Sequence, residues 1–332
     1  RLTITKGATA DEFTTVATYR YAGGSAVVTR EGRGTVFTGY QWRGRSNFPG
    51  RPADSAWREV LFVEPGWQQI SGRWFAGGYD ELGADVKLQR LTGAPVIAGV
   101  LPRGLRKGAS RQDVAIGGAN LPANVNPAQI DLGPGVEIES VVRSTPDEVL
   151  VRVRVDTAAM IGERDVFVAG ASLAKGAAVY DKISRIKVTP LAAMARIGGV
   201  RFPKQFVQFD AIAYHDGVDQ RPDTPDDISL GRVDVQWSLE EYGVTYDDDD
   251  LKYVGTIDAR GFFTPNVDGP NPQRSGSRNN IGDVWVVATY EAPATGSQPA
   301  RPIRARAHLL VTVPLYMRWD PWALGNAGGL AQ

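Results

Sequence analysis

The stretch Glu148–Val155 reads Glu-Val-Leu-Val-Arg-Val-Arg-Val. Side chains of an extended strand alternate between two faces. Valine at every second position therefore sets one apolar face against a core and turns Leu150, Arg152 and Arg154 the other way. A helix would scatter the same valines around its surface. Short alternating runs of this kind recur along the chain, separated by turn residues such as Ala22-Gly23-Gly24, Glu64-Pro65-Gly66 and Ser144-Thr145-Pro146-Asp147. The 38 glycines and 21 prolines in 332 residues punctuate the chain too often for long helices. The expected fold class is all-β: a β-barrel-like domain over 1–92, then two immunoglobulin-like β-sandwich domains over 93–183 and 184–332.

Residue inventory removes several chemistries. The chain has no cysteine, so it can form no disulfide, thiolate metal site, cysteine nucleophile or thioether-linked haem. Two histidines, His215 and His308, are too few for a histidine-rich metal centre. Lys+Arg and Asp+Glu both number 37, so no global charge draws the chain to nucleic acid or to an anionic membrane. No apolar run reaches the about 18 residues of a membrane-spanning helix. Opening at Arg1 without an apolar leader, the sequence reads as a processed mature chain or a piece of a longer one.

In the first module, alternation predicts strands over 2–4, 14–21, 25–31, 34–40, 57–63, 67–75 and 84–91. Strands this short, joined by tight turns, suit an up-and-down barrel or a sandwich. Arg30, Arg33, Arg43, Arg45, Arg51 and Arg58 alternate with aromatic residues. They read either as solvated outward positions or as a basic stripe that docks an acidic partner. The second module predicts strands at 96–101, 113–116, 136–143, 148–155, 164–169 and 177–180, and carries no chemical constellation. The third predicts one strand over 206–214, another over 233–238 that holds Trp237, and a last pair over 283–290 and 305–313. Between them, Tyr253–Ile257 reads as a strand and Asp258-Ala259-Arg260-Gly261 as a type I turn into Phe262-Phe263-Thr264.

Candidate site residues lie in the third module. The loop 215–227 holds Asp216, Asp219, Asp223, Asp226 and Asp227 around Gly217. Hard cations such as Ca²⁺ take several oxygens from one tight loop, and a solvated acidic turn has the same composition. The spacing is not that of an EF-hand. The run Asp247–Asp250 would repel itself unless paired, and reads as a solvated hairpin tip. Paired carboxylates also raise glycoside hydrolysis, but a sequence does not give their separation. No Ser/His/Asp arrangement stands out, and both histidines read as hydrogen-bonded structural residues. Trp319 and Trp322, in a tail rich in glycine and alanine, are candidate partner-docking residues.

Three sets of residues carry a family resemblance. The first is Trp67–Phe75 with its Gly72-Arg73-Trp74, followed by Asp80-Glu81-Leu82-Gly83, with Gly39–Arg43 as the strand upstream. The second is Gly117-Gly118-Ala119-Asn120-Leu121 after an alternating strand, a corner found in immunoglobulin-like domains of the IPT/TIG type. The third is the order Ala195–Gly199, Pro203 and Phe206, Asp223 to Gly231, Trp237, Tyr253–Asp258, Gly261 to Pro265, Gly269–Pro272 and Asn279-Asn280. In this order they resemble the haem-free part of the α subunit of quinohemoprotein amine dehydrogenase. Residues 47–54 depart from the family pattern as an insertion.

The resemblance implies a non-catalytic scaffold in a periplasmic complex that oxidises primary amines to aldehydes. Implied partners are a β-propeller subunit, a small quinone-bearing γ subunit and a dihaem cytochrome c domain or chain. Haem c and cysteine tryptophylquinone are then expected on those partners, with Ca²⁺ the one cofactor this chain's acidic loop could take. Two other function classes stay open: a secreted or surface β-sandwich binding protein, and a carbohydrate-active hydrolase that uses the acidic loops.

Overall fold

The computed structural model describes residues 1–19, 27–51, 56–76, 82–200, 202–243, 249–293 and 301–314. Their regular structure is almost all strand, in two compact units. The first unit comprises Arg1–Thr189, Asp210–Val235 and Thr289–Ala305. The second comprises Pro190–Phe209, Gln236–Ala288 and the described part of Arg306–Gln332.

The first unit begins with strands β1 (Leu2–Lys6), β2 (Glu12–Tyr19), β3 (Val28–Phe37), β4 (Gln41–Asn47), β5 (Trp57–Val63), β6 (Gln69–Ala76) and β7 (Gly83–Gln89). They pair in chain order as one antiparallel meander, a half-barrel, where the sequence reading expects an up-and-down barrel or a sandwich. Two of its strands differ from the sequence reading. The strands read over 25–31 and 34–40 are not separate: Val28–Phe37 is one strand, β3, which runs on through Gly32-Arg33-Gly34, and Thr38-Gly39-Tyr40 turn the chain into β4. Glycine at 32 and 34 reads as a break, yet here it makes room. A Cβ on Gly34 would lie 2.0 Å from Trp42 Cζ2, and one on Gly44 would lie 2.4 Å from Glu59 Oε2.

Trp42 fills the space that these glycines leave and is 1% exposed. Its indole N–H donates to Glu59 Oε2 at 2.9 Å, and the Ser46 hydroxyl donates to Glu59 Oε1 at 2.7 Å. Arg30, also 1% exposed, donates to Ser46 and lies over the Trp57 ring at 4.5 Å. Arg30 therefore leaves the outward basic stripe: its position in β3 faces the core, and the Ser46–Glu59 relay answers its charge.

The next strands are β8 (Val96–Leu101), β9 (Gly104–Arg106), β10 (Gln112–Ala119), β11 (Ile130–Asp131), β12 (Val136–Thr145), β13 (Glu148–Val155), β14 (Gly162–Val168) and β15 (Ala171–Tyr180). They form two four-stranded sheets in the orders β12-β13-β10-β8 and β11-β14-β15-β9. One core joins the inner faces: Val149, Val151 and Val153 from the first sheet, and Val166, Val168 and Val179 from the second, each at 0% exposure. At about 1.5–3 kcal/mol per fully buried aliphatic side chain, this valine face holds the sandwich closed. A sheet of β16 (Arg185–Thr189), β19 (Asp210–His215) and β20 (Ile228–Arg232) also belongs to the first unit, with β18 (Val207–Gln208) lying outside it.

The second unit contains β17 (Ala192–Arg196), β21 (Gln236–Glu241), helix α1 (Asp250–Tyr253), β22 (Gly255–Ile257) and β23 (Phe262–Pro265). β24 (Gly282–Ala292) and β25 (Arg301–Thr312) join β17 and β21 in the order β17-β25-β24-β21, while β23 pairs with β18 on one side and β22 on the other. The strand read over 206–214 is thus two, because the chain changes sheets at the fully buried Phe209. Tyr253 and Val254 are likewise not strand. Tyr253 ends α1, and the Val254 N–H donates to Asp250 O at 2.9 Å. The turn at 258–261 is present: Gly261 N–H donates to Asp258 O at 3.0 Å, and Asp258 Oδ1 accepts the Arg260 and Phe262 N–H groups.

The packing around Trp42 generates a stability test. Gly34→Ala is expected to cost about 1–3 kcal/mol, since a fully buried indole has nowhere to retreat. Gly99→Ala, with no heavy atom within 4 Å of the new Cβ, is expected to stay within about 0.5 kcal/mol of the parent. Urea unfolding followed by tryptophan fluorescence checks both; equal midpoints for the two variants would contradict the packing account.

Candidate functional site

The acidic loop joins β19 to β20, and the register pairs His215 with Ile228 at its base. Strand β16 runs beside β19 and sets Arg185 opposite Tyr214. From there the Arg185 guanidinium reaches Asp216 and Asp227 as close ion pairs and lies 3.7 Å from Asp223. Its charge also sits over the Tyr214 ring at 5.1 Å. Lys187, two residues along β16 and on the same face, pairs with Asp223. Two cations from one strand thus hold three of the five loop aspartates.

The remaining two are held from within the loop. Asp226 Oδ2 accepts the Val218 N–H at 2.6 Å and the Asp219 N–H at 3.2 Å, and its Oδ1 accepts the Thr224 hydroxyl at 2.7 Å. Asp219 Oδ1 accepts the Arg221 N–H at 2.8 Å. Gly217 makes this possible: its φ is +64°, and a Cβ there would lie 2.2 Å from Asp226 Oδ2. The Gly217 N–H donates to His215 Nδ1 at 3.0 Å, so the proton of a neutral imidazole sits on Nε2, 3.2 Å from Asp181 Oδ1. His215 is 1% exposed, in keeping with a hydrogen-bonded structural histidine.

The loop borders a cleft of about 390 Å³ whose lining includes Ile161, Glu163, His215, Val218 and Asp226. The hydrogen bond from Thr224 and those from the Asp219 and Val218 amides hold the Asp226 carboxyl below the usual carboxylate range. The Lys187 ammonium does the same for Asp223. Burial pushes Glu163 up, but hydrogen bonds from Lys175 and Arg103 bring it below its ordinary value. A Ca²⁺ site needs about six to eight oxygens converging on one point. Among the described residues, no group of three or more His, Asp or Glu side chains is placed to hold a metal ion.

The second unit places its acids differently from the sequence reading. Asp247 and Asp248 lie outside the described residues, but Asp249 and Asp250 are no solvated tip. Asp250 is 8% exposed and Arg274 3%. Arg274 donates to Asp249 at 2.7 Å, to Asp250 at 2.5 Å, and to the carbonyls of Asn279 and Ile281 at 2.8 and 2.7 Å. Burial pushes its guanidinium pKa down, but the hydrogen bonds and charges of Asp250 and Asp249 bring it above the ordinary value. Asp250 also accepts the Asp283 N–H at 3.0 Å, which secures the start of β24. Removing one partner of such a buried pair costs about 3–5 kcal/mol. The like-charge run that needed a counter-charge was the available signal, and Arg274 and Arg278 stand in the loop that supplies it. His308 Nε2 lies 3.1 Å from Asp283 Oδ2, and its ring packs against Tyr242. Trp319 and Trp322, the candidate docking pair, lie outside the described residues.

Acid stability tests the loop. The carboxyls of Asp223 and Asp226 are held below the about 3.9 of an unfolded aspartate. A depressed carboxylate stabilises the folded state above its unfolded pKa and loses that contribution as pH falls through the folded value. Backbone amides at 217–227 are therefore expected to keep their hydrogen-exchange protection from neutral pH down to about 4 and to lose it below. Asp226→Ala is expected to remove the protection of the Val218 and Asp219 amides at every pH, because it takes away the oxygen that accepts them. Full protection in that variant would contradict the assignment.

Comparison with known proteins follows the chain order. Residues 1–91 match the family model described as quinohemoprotein amine dehydrogenase, alpha subunit domain II. Residues 94–181 match alpha subunit domain III, and residues 186–323 match alpha subunit domain IV. No curated protein matches the chain by sequence. Among solved structures, human protocadherin-24 EC1-2 shares 11% identity at a TM-score of 0.23, over 65% of this chain and 96% of that one. The titin I9-I11 tandem shares 11% identity at a TM-score of 0.17, over 94% of this chain and 100% of that one. The three matches run in unbroken domain order, and the chain belongs to the quinohemoprotein amine dehydrogenase alpha subunit family.

Proposed function

We propose that this chain is the haem-free, non-catalytic scaffold of an alpha subunit in a periplasmic amine dehydrogenase complex. The observation that carries the reading is the coincidence of two facts: domains II, III and IV of the family follow one another, and the chain has no cysteine. Thioether attachment of haem c and formation of a cysteine-derived quinone both need a thiol, so this chain's residues do not fit either group. The redox centres then belong to a dihaem cytochrome c domain or chain and to a small quinone-bearing subunit, with a β-propeller subunit alongside. The complex oxidises a primary amine to an aldehyde. This chain supplies rigid surfaces that hold those parts in register.

The physical character of the chain suits that role. Several of its charged groups serve internal order: Arg185 on the acidic loop, Arg274 on α1 and the start of β24, Glu59 in the half-barrel core. A glycoside hydrolase needs one carboxyl kept protonated near neutral pH while its neighbour stays ionised. Asp223 and Asp226 are both shifted the other way, which disfavours hydrolysis at this loop.

Native purification followed by mass spectrometry tests the reading. A haem-bearing polypeptide and a small cross-linked quinone subunit are expected to co-purify with this chain in fixed ratio. Recovery of the chain as a single unmodified species of 35.8 kDa would sink the scaffold reading and leave a free-standing β-sandwich binding protein.

A further inference from the structure

The half-barrel has an outer face as well as a core, and its composition is one-sided. In the register, Thr35, Arg43, Val60 and Arg73 form one row across β3–β6, and Phe37, Gln41, Phe62 and Ser71 form the next. A third row sets Arg33 opposite Arg45 and Arg45 opposite Arg58. With the inward positions taken by Arg30, Trp42, Glu59 and Trp74, strands β3–β6 turn five arginines outward against one glutamate, Glu31. The whole chain is charge-balanced, so this face concentrates positive charge that acidic residues offset elsewhere.

Apolar groups lie among these arginines. Phe37 is 50% exposed, Phe62 44% and Val60 38%. A face that had only to be solvated would mix both signs and keep aromatics inside, because like charges directly opposite on a sheet repel. Arg45, Arg58 and Arg73 make further interactions of their own, and Phe75, opposite Arg58, is buried. The open part of the face is therefore the side that carries Arg33, Val60, Phe37 and Phe62, together with Arg43, whose one side-chain hydrogen bond among the described residues is an exposed one to Gln41 Oε1 at 3.1 Å.

We infer that this outer face docks an acidic protein segment whose apolar side chains cover Phe37, Val60 and Phe62 while its carboxylates meet Arg33 and Arg43. Charge complementarity selects the partner: a planar guanidinium takes a carboxylate in two parallel bonds, and exposed aromatics beside it suit an interface hot spot. The sheet presents these groups on rigid strands, so little entropy is lost on binding. The inference rests on this face alone and stands apart from the scaffold reading.

The test uses the full chain and a fluorescein-labelled peptide of glutamates interspersed with phenylalanine, read by anisotropy. Duplex DNA and phosphatidylserine vesicles serve as competing anionic probes. The peptide is expected to bind, with affinity that falls as salt rises from about 50 to about 200 mM. The double variant Arg33→Glu, Arg43→Glu is expected to lower that affinity by roughly tenfold or more, and Phe62→Ser to lower it as well. The neutral pair Arg33→Gln, Arg43→Gln is expected to fall in between, with circular dichroism unchanged. Lys182→Glu, at an exposed site off this sheet, is expected to leave binding as it was. Unchanged peptide affinity in both arginine pairs would overturn the inference, and so would tighter binding of DNA or vesicles than of the peptide at the same salt.

Discussion

Three arginines withdrawn from water, each answered by groups far away in sequence, hold this chain's strands and loops in place. Arg30 reaches Ser46 and through it Glu59. Arg185 reaches Asp216 and Asp227. Arg274 reaches Asp249 and Asp250. A desolvated guanidinium without its partners would cost several kcal/mol, so each of these contacts fixes the position of two or more segments at once. In a chain without disulfides, these ties supply cross-links between segments that apolar packing alone would leave free to slide. Arginine suits the task because it stays charged when buried and its fork of donors meets several acceptors together. Arg274 shows this most fully, joining α1 to two carbonyls just before β24.

The apolar framework around these ties is simple. Period-two alternation was legible wherever a strand had one buried face and one solvated face, as in β13 and β25. The meander was legible from its turns. What could not be read was any position where glycine served a neighbour rather than a turn. Gly32 and Gly34 read as a strand break, but they make room for Ser46 and Trp42 within one continuous β3. Tyr253 and Val254 have strand-like side chains, yet the Asp250 node draws them into the end of a short helix. Tertiary partners overrode local propensity there. Phe209 read as mid-strand because a change of sheet leaves no mark on alternation.

The candidate site was legible in its residues and not in its wiring. All five loop aspartates fall between β19 and β20 as one group, which their spacing indicated. Their counter-ions, Arg185 and Lys187, come from a strand some thirty to forty residues earlier, and sequence order says nothing of that pairing. The family resemblance needed no such pairing, since it rests on ordered local motifs, and three family domains cover the same stretches. The ties made by Arg30, Arg185 and Arg274 accord with the supporting role proposed for this chain.

A cryo-electron microscopy structure of the natively purified assembly tests that role most directly. The scaffold account expects this chain's three β domains to pack against the quinone-bearing and haem-bearing parts, with none of its side chains touching the quinone carbonyls, the haem iron or bound amine. A side chain of this chain within hydrogen-bonding reach of any of those groups would contradict the account and make the chain a participant in the reaction.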